Sequence, residues 1–511
     1  MNNPWNELAA TGRVEPGGNR LASRQWRWLN DCLTRNQDTE YGRQHHYNHI
    51  DSVDAYRRRV PIQSYENYAD SIERMAQGQG DVLFAGQALA FERTGGSDGG
   101  GKLIPYTRHS LADFQTALLP WLSCLVTHYG INSGYAYWSI SPATRQSELT
   151  AGGHPIGLAD GAYLGDMALR AFAQVSCVPH WVGTVDNIPD WELTTLYWLV
   201  RCPDLALISV WSPTFFTRLL DGLERRKDAL SGLLENGATL AKRPLPADRA
   251  ALQRLSAYYL IGDAKQLWPR LKLVSCWTDA SSRPYADELQ SRLPGVPMQG
   301  KGLLATEGVT TVPDQEGRPI LAADSGFYEF LDDHGNIRDA WELRQGDRYE
   351  VIMTTSGGLY RYRSGDRIRC EGFRGDVPVL VFVGRNGLVS DLVGEKLTEA
   401  FVAQCLEKLP GFRMLVPVTS GSRHYALVLE HRYGTQAKTL LPVVESQLMS
   451  NPQYAYARKL GQLGELTLVL MNDPLGLYLQ HTSAQQRLGD IKIPALCPQN
   501  GALIKQMAGA G

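Results

Sequence analysis

Between Arg93 and Thr107 the chain reads Arg-Thr-Gly-Gly-Ser-Asp-Gly-Gly-Gly-Lys-Leu-Ile-Pro-Tyr-Thr, with five glycines and a serine ahead of Lys102. Glycines carry no Cβ, so successive backbone N–H groups can converge on anionic oxygens, and the lysine adds positive charge beside them. A polyphosphate is the expected ligand, against the plainer alternative of a flexible surface loop. The residues that follow restrict the fold. Gly96 to Lys102 satisfies the start of the P-loop pattern, but Leu103 stands where a magnesium-binding hydroxyl is needed. Pro105 lacks an N–H and would clash in the helix that a P-loop opens. Gly95 to Gly99 also fits the Gly-x-Ser-x-Gly nucleophile elbow, yet that elbow needs a helix directly after the serine, and more glycines follow. The loop is therefore expected between strands.

The 511 residues exceed what one hydrophobic core usually serves, so two or more domains are expected. A formal net charge of -2 argues against a nucleic-acid binder, which would show a basic surplus or stripe. The N-terminus Met-Asn-Asn-Pro-Trp-Asn-Glu lacks a basic stretch followed by an apolar run, so no secretory signal is expected, and no apolar run is long enough to span a membrane, so a cytoplasmic protein is expected. Eight cysteines, none in a Cys-x-x-Cys pair, read as reduced, buried thiols. His45, His46 and His49 cluster without a neighbouring ligand set and are not read as a metal site.

Hydrophobic periodicity predicts a largely helical stretch over 20–77 broken at Pro61, and a helix over 110–128 opened by Ser110 and Asp113 and bent near Pro120. Short apolar runs alternating with helical patterns over 135–215 suggest α/β layers, and 225–257 reads as helical and exposed. Strands are expected at Leu271 to Trp277, Gly326 to Leu331, Tyr349 to Thr354 and Val377 to Val383, forming a sheet-rich subdomain over about 320–384. Beyond Gly384, helices near 395–408 and 435–450 and strands near 413–418, 424–430 and 465–470 suggest a small separate α/β domain.

Four further segments gain meaning together. Ala305-Thr306-Glu307-Gly308 is a polar turn with one ionisable group; beside a phosphate loop such a carboxylate implies a magnesium ion, while alone it is equally a solvated glutamate. Gly358-Leu359-Tyr360-Arg361-Tyr362-Arg363-Ser364-Gly365-Asp366 ends in an aspartate able to accept hydrogen bonds from vicinal ribose hydroxyls, or simply a β-turn Gly-Asp. Phe382-Val383-Gly384-Arg385 continues through Gly394-Glu395-Lys396 to Glu399, and Gly489-Asp490-Ile491-Lys492-Ile493-Pro494 lies near the C-terminus, where a lysine is ordinarily solvated.

In this order the segments resemble the adenylate-forming superfamily of acyl and aryl ligases. Together with Tyr41-Gly42-Arg43 and Arg423-His424-Tyr425, the Gly358–Asp366 run is similar to the auxin-responsive Gretchen Hagen acyl acid amido synthetases and their bacterial relatives, over about residues 20–500. The resemblance implies an α/β fold. It has a large N-terminal domain (1–384) of sheets flanked by helices with a β-barrel-like subdomain, a hinge (385–391) and a small mobile C-terminal α/β lid (392–511). It implies activation of a carboxylic acid by ATP as acyl-AMP, with release of pyrophosphate, then transfer to an amine such as an amino acid.

The resemblance also assigns roles. Thr94, Gly95, Gly96, Ser97 and Gly99 would hold the phosphates, with Lys102 adjacent. Thr306 and Glu307 would form the turn at the nucleotide, with Glu307 the ligand of Mg2+; Asp366 would anchor the ribose. Arg385 would contact ribose or phosphate at the domain junction, and Lys492 would bridge the reacting carboxylate and the α-phosphate. Trp211, Phe215 and Phe216 would wall the acyl pocket, between the 110–128 helix and Ser209 to Phe216. Two departures stand out against the plant pattern: Gly96 replaces a threonine, and Leu303 replaces an aromatic residue before the Thr-Glu turn. Transfer to the thiol of coenzyme A or of a carrier protein, and a silent nucleotide-binding scaffold, are the competing expectations.

Overall fold

The computed structural model describes residues 3–11, 20–94, 102–139, 148–158, 163, 165–385, 388–419, 422–483, 488–497, 503 and 506–507. Its centre is a four-stranded parallel sheet in the order Met298–Gly300, Leu273–Cys276, Leu205–Ser209, Tyr135–Trp138. Leu205–Ser209 and Leu273–Cys276 are buried at every position, as expected of strands covered on both faces. Helices Arg108–Thr127 and Pro213–Arg225 contribute buried residues to the hydrophobic clusters that cover them.

A seven-stranded antiparallel sheet occupies the expected sheet-rich region. Its order is Thr311–Pro313, Pro319–Leu321, Val377–Arg385, Tyr362–Arg374, Arg348–Thr354, Phe327–Asp332, Ile337–Asp339. The 20–77 region is helical as expected, in segments Leu21–Asn36, Glu40–Gln44, Val53–Arg59 and Tyr65–Ala76, and packs on this sheet through a shared core. Two segments that carried the resemblance meet there: Tyr41 stacks on Tyr360 with ring centroids 5.1 Å apart.

Near the C-terminus, Arg413–Val418 and His424–Glu430 pair antiparallel, and Thr467–Met471 adds in parallel. Side chains alternate across a strand, and this sheet uses both faces. Met414, Val416 and Val428 join the core of the parallel sheet, whereas Leu415, Leu427 and Leu429 form a separate cluster under the helices Glu399–Cys405 and Gly434–Leu448. The small sheet is thus docked on the large body by one apolar face. Of the expected hinge, residues 386–387 lie outside the described residues.

Two local expectations change. The helix over 108–127 begins three residues earlier than Ser110 suggests, because Thr107 caps it: Ser110 N donates to Thr107 Oγ1 and Thr107 N donates back to Ser110 Oγ. The Gly365-Asp366 step lies within the long strand Tyr362–Arg374, with the turn geometry reduced to a positive φ of 81° at Gly365. Among the described residues no helix is long and apolar enough to cross a membrane.

Candidate active site

Strand pairing builds the site's first contact. Asp366 and Arg385 are direct register partners on the adjacent strands Tyr362–Arg374 and Val377–Arg385. Arg385 Nε lies 3.7 Å from Asp366 Oδ1, its Nη2 lies 4.0 Å from Glu307 Oε1, and Nη2 also donates to Ser364 O at 3.0 Å. The guanidinium is half exposed while the Asp366 and Glu307 side chains are 9% and 5% exposed, so the arginine forms a lid over two buried acids.

Glu307 is aimed by a two-residue hairpin. Ala305 pairs with Gly308, leaving Thr306 and Glu307 at the tip, and Tyr106 Oη fixes the tip by donating to Thr306 O at 2.6 Å. Tyr362 Oη donates to Glu307 Oε1 at 3.3 Å. The same Tyr-Arg run has structural work on its other side chains. Arg361 forms a buried bidentate pair with Glu329, at 2.8 and 3.1 Å, and the half-exposed Arg363 a bidentate pair with Glu350, at 2.6 and 2.8 Å.

Lys492 reaches this group from the far end of the chain. Its segment runs beside the strand Arg413–Val418, with Leu415 N donating to Ala495 O and Cys497 N to Leu415 O, and Ile491 and Ile493 on either side are buried in the main core. Glu399 Oε1 accepts from Ala495 N at 3.2 Å. Lys492 Nζ stands 4.6 Å from the centre of the Trp277 ring and 5.7 Å from that of Phe382. Solvent reaches the side chain, yet protein crowds it, as happens in the wall of a cleft. That crowding lowers its pKa below the ordinary lysine value, against the opposing pull of Asp366, Glu307 and Glu399, while the positive charge of Arg385 adds to the lowering. Burial likewise raises Asp366, and Arg385 and Lys492 work against that rise. The cleft thus brings together four of the expected residues, Glu307, Asp366, Arg385 and Lys492.

The glycine loop is strand-flanked, as expected: Ala90–Arg93 and Leu103–Tyr106 pair antiparallel from Ala90 opposite Tyr106 to Arg93 opposite Leu103. Thr94 closes its base, donating to Lys102 O at 2.8 Å and accepting from Lys102 N at 3.2 Å. Gly95, Gly96, Ser97 and Gly99 lie outside the described residues. Lys102 Nζ sits 3.6 Å from Glu66 Oε1 and 5.0 Å from the centre of the Tyr65 ring, contacts outside the four-residue group.

The three aromatic residues expected to wall an acyl pocket part company. Trp211 packs against Trp277, centroids 6.0 Å apart, and so continues the surface on which Lys492 stands. Phe215 and Phe216 point into the core instead, Phe215 against Trp191 and Phe216 against Tyr137 and Trp268. Consecutive residues after Pro213 are helical, and both faces available to these two side chains are already covered. Trp277 and the buried Lys301 were not anticipated. A readable signal existed: both follow strands of the parallel sheet, at the carboxyl ends where ligands of open α/β sheets gather.

Comparison with known proteins fits this geometry. The GH3 family N-terminal domain model matches residues 12–298 and the GH3 family central domain model residues 319–385. The chain belongs to the GH3 family. It is 26% identical over 469 residues to the probable indole-3-acetic acid-amido synthetase GH3.1 of Oryza sativa subsp. japonica, covering 81% of this chain and 76% of that protein. It is 22% identical to the indole-3-acetic acid-amido synthetase GH3.4 of Arabidopsis thaliana, covering 98% and 88%. Among solved structures, the GH3.15 acyl acid amido synthetase in complex with 2,4-DB superposes with a TM-score of 0.82 at 20% identity, covering 100% of this chain and 97% of that one. A 2-hydroxyisobutyryl-CoA ligase in the postadenylation state gives a TM-score of 0.58 at 12% identity over 98% and 97%. The GH3 chain therefore has the fold of the adenylate-forming ligases.

Proposed function

We infer that this GH3 protein is an ATP-dependent acyl acid amido synthetase that joins a carboxylic acid to an amine, an amino acid being the expected acceptor. The observation that carries this is the convergence of Asp366, Glu307, Arg385 and Lys492 on one cleft from segments far apart in the chain. In the first half-reaction a carboxylate oxygen attacks the α-phosphorus of ATP, forming acyl-AMP as pyrophosphate leaves. In the second, the amine nitrogen attacks the acyl carbon, loses a proton, and AMP departs with the C–O bonding pair.

The first step sets one anion against another, so positive groups near the reacting oxygens contribute most. Lys492, on a segment anchored by Ile491 and Ile493, is suited to neutralise the carboxylate and α-phosphate together. Asp366 suits the ribose hydroxyls, its charge supported by Arg385 and Lys492. Glu307 fits a magnesium ion, because magnesium is typically held by one or two carboxylates plus substrate phosphates, and this buried carboxylate faces the same cleft. When bound, the ion would shield phosphate charge. Thr94 and the glycines from Gly95 onward, with Ser97 and Lys102, would hold the phosphates. Arg385 ends the last long strand before the small sheet, which suits a contact made and released as residues 392–511 move about 385–391. A cytoplasmic setting supplies the ATP and keeps the thiols reduced.

Pyrophosphate exchange into ATP, measured over aryl, indolyl and fatty acids, followed by an amine screen with mass-spectrometric product detection, tests this function. Acid-dependent exchange and an N-acyl amino acid are expected. A thioester formed at a comparable rate from coenzyme A would overturn the amide assignment.

A further inference from the structure

Among the described residues, Lys301 is a buried cation that no carboxylate pairs. It follows the strand Met298–Gly300 at the carboxyl end of the parallel sheet and is 5% exposed. Its Nζ lies 4.8 Å from the centre of the Trp121 ring, 5.2 Å from that of Trp138 and 5.1 Å from that of Trp211. Among the described residues its hydrogen-bond acceptor is Ser209 Oγ, at 2.7 Å. An ammonium carries three donors, so one neutral hydroxyl leaves most of its capacity unused. The next residue across the sheet from Ser209 is Ser275, whose buried Oγ has no hydrogen-bond partner among the described residues. Register pairing puts Trp138, Ser209, Ser275 and Gln299 on the same face of the sheet, the face covered by Trp121.

This polar cluster is joined to the proposed reaction site by tryptophan. Lys492 stands over Trp277, Trp277 packs on Trp211, and Trp211 faces Lys301, in successive contacts of 4.6, 6.0 and 5.1 Å. The surface between the two lysines is aromatic, its two tryptophan rings inclined at 39° to each other. A lysine with only structural duties gains little here that an apolar side chain would not supply, since burying an uncompensated charge is costly. An anion arriving with a ligand would supply the missing compensation.

We propose that Lys301 is the specificity determinant of the acyl site. It receives an acceptor oxygen, foremost a second carboxylate, at the end of the acid remote from the carboxylate that is activated. The substrate class is then a flat or aromatic acid with a distal carboxylate or hydroxyl, lying along Trp277 and Trp211. Burial, which lowers the Lys301 ammonium to about 7 in the free protein, is a cost that such a ligand would reverse. This inference rests on the amido synthetase function above for the identity of the reacting end.

The test compares phenylacetate and 4-phenylbutyrate with their para-carboxy and para-hydroxy derivatives, by calorimetric binding and by pyrophosphate exchange. The wild-type protein is expected to bind at least one para-substituted acid about tenfold or more tighter than its parent. Lys301→Met should abolish that ratio, and Lys301→Arg should restore part of it. Lys301→Met should also melt no lower than the wild type, because it removes a desolvated charge from an apolar cage. Equal affinity for parent and substituted acids, or a ratio unchanged in Lys301→Met, would overturn the proposal; a lowered melting temperature with an unchanged ratio would show a cation–π strut instead. Selective binding without exchange would leave Lys301 as assigned and overturn the ligase function. Exchange without selectivity would do the reverse.

Discussion

Two lysines of this protein stand over tryptophan rings that touch each other, and their surroundings differ in one respect. Lys492, over Trp277, is drawn toward its charged form by Asp366, Glu307 and Glu399. Lys301, over Trp211, has among the described residues no acidic side chain acting on it, its titratable neighbour being the Cys276 thiol. The carboxylates around Lys492 belong to the protein and favour its charged form before any ligand arrives, against the lowering by burial and by Arg385. At Lys301 the countercharge is left to the ligand. Of these two cations, joined through a pair of packed tryptophans, the solvent-reached Lys492 is thereby equipped for chemistry common to all substrates and the buried Lys301 for telling substrates apart.

The largest expected effect that separates them is on rate. Lys492→Ala should lower acyl-adenylate formation by roughly two to three orders of magnitude for every acid, with a smaller effect on amide formation from added acyl-AMP. Lys301→Met should instead change the ratio between acids. A Lys492→Ala effect that depended on the acid's distal group would break the comparison. Next, Asp366→Asn removes a charged acceptor and should reduce kcat/KM for ATP by roughly tenfold to a hundredfold, measured by exchange at varied ATP. It should leave the relative affinities of the acids unaltered.

The pH dependences should differ as well. Preference for para-carboxy acids needs the Lys301 ammonium and should weaken as pH rises through about 7, with Cys276 the titratable group acting on it. In the absence of ligand the linkage has the opposite sense. The folded Lys301 gives up its proton near 7, whereas an unfolded lysine holds it to about 10.5, so stability rises with pH over that window relative to Lys301→Met. Urea melts of both proteins at several pH values measure this. The smallest effect is expected for Glu399→Gln, which removes one of the carboxylates supporting the charge on Lys492. Its alkaline limb of adenylation should move to lower pH, with less than about a threefold change in rate at neutral pH.

Much of this was legible in the chain because its signals are local. The strand-flanked glycine loop followed from Leu103 and Pro105, and the strands at 413–418 and 424–430 from short apolar runs. Tyr41-Gly42-Arg43 marks a close approach: a Cβ on Gly42 would come within 2.0 Å of Asn36 O. What sequence could not supply were relations between distant segments. Phe215 and Phe216 read as pocket walls because aromatic residues line pockets and cores alike, and only the helix phase decides between them. Asp366 read as a turn residue because Ser-Gly-Asp is turn chemistry, while the pairing with Val377–Arg385 extends it into a strand. Lys301 carries no pattern of its own; its meaning comes from three tryptophans contributed by a helix, a strand and a loop.

The central claim is that the cleft holding Lys492 adenylates carboxylic acids. Acid-dependent exchange of radiolabelled pyrophosphate into ATP, run side by side on the wild type and Lys492→Ala, addresses it most directly. Exchange that requires an acid and falls by at least about a hundredfold in the variant is the expected result. Acid-independent exchange, or equal exchange in the two proteins, would contradict it.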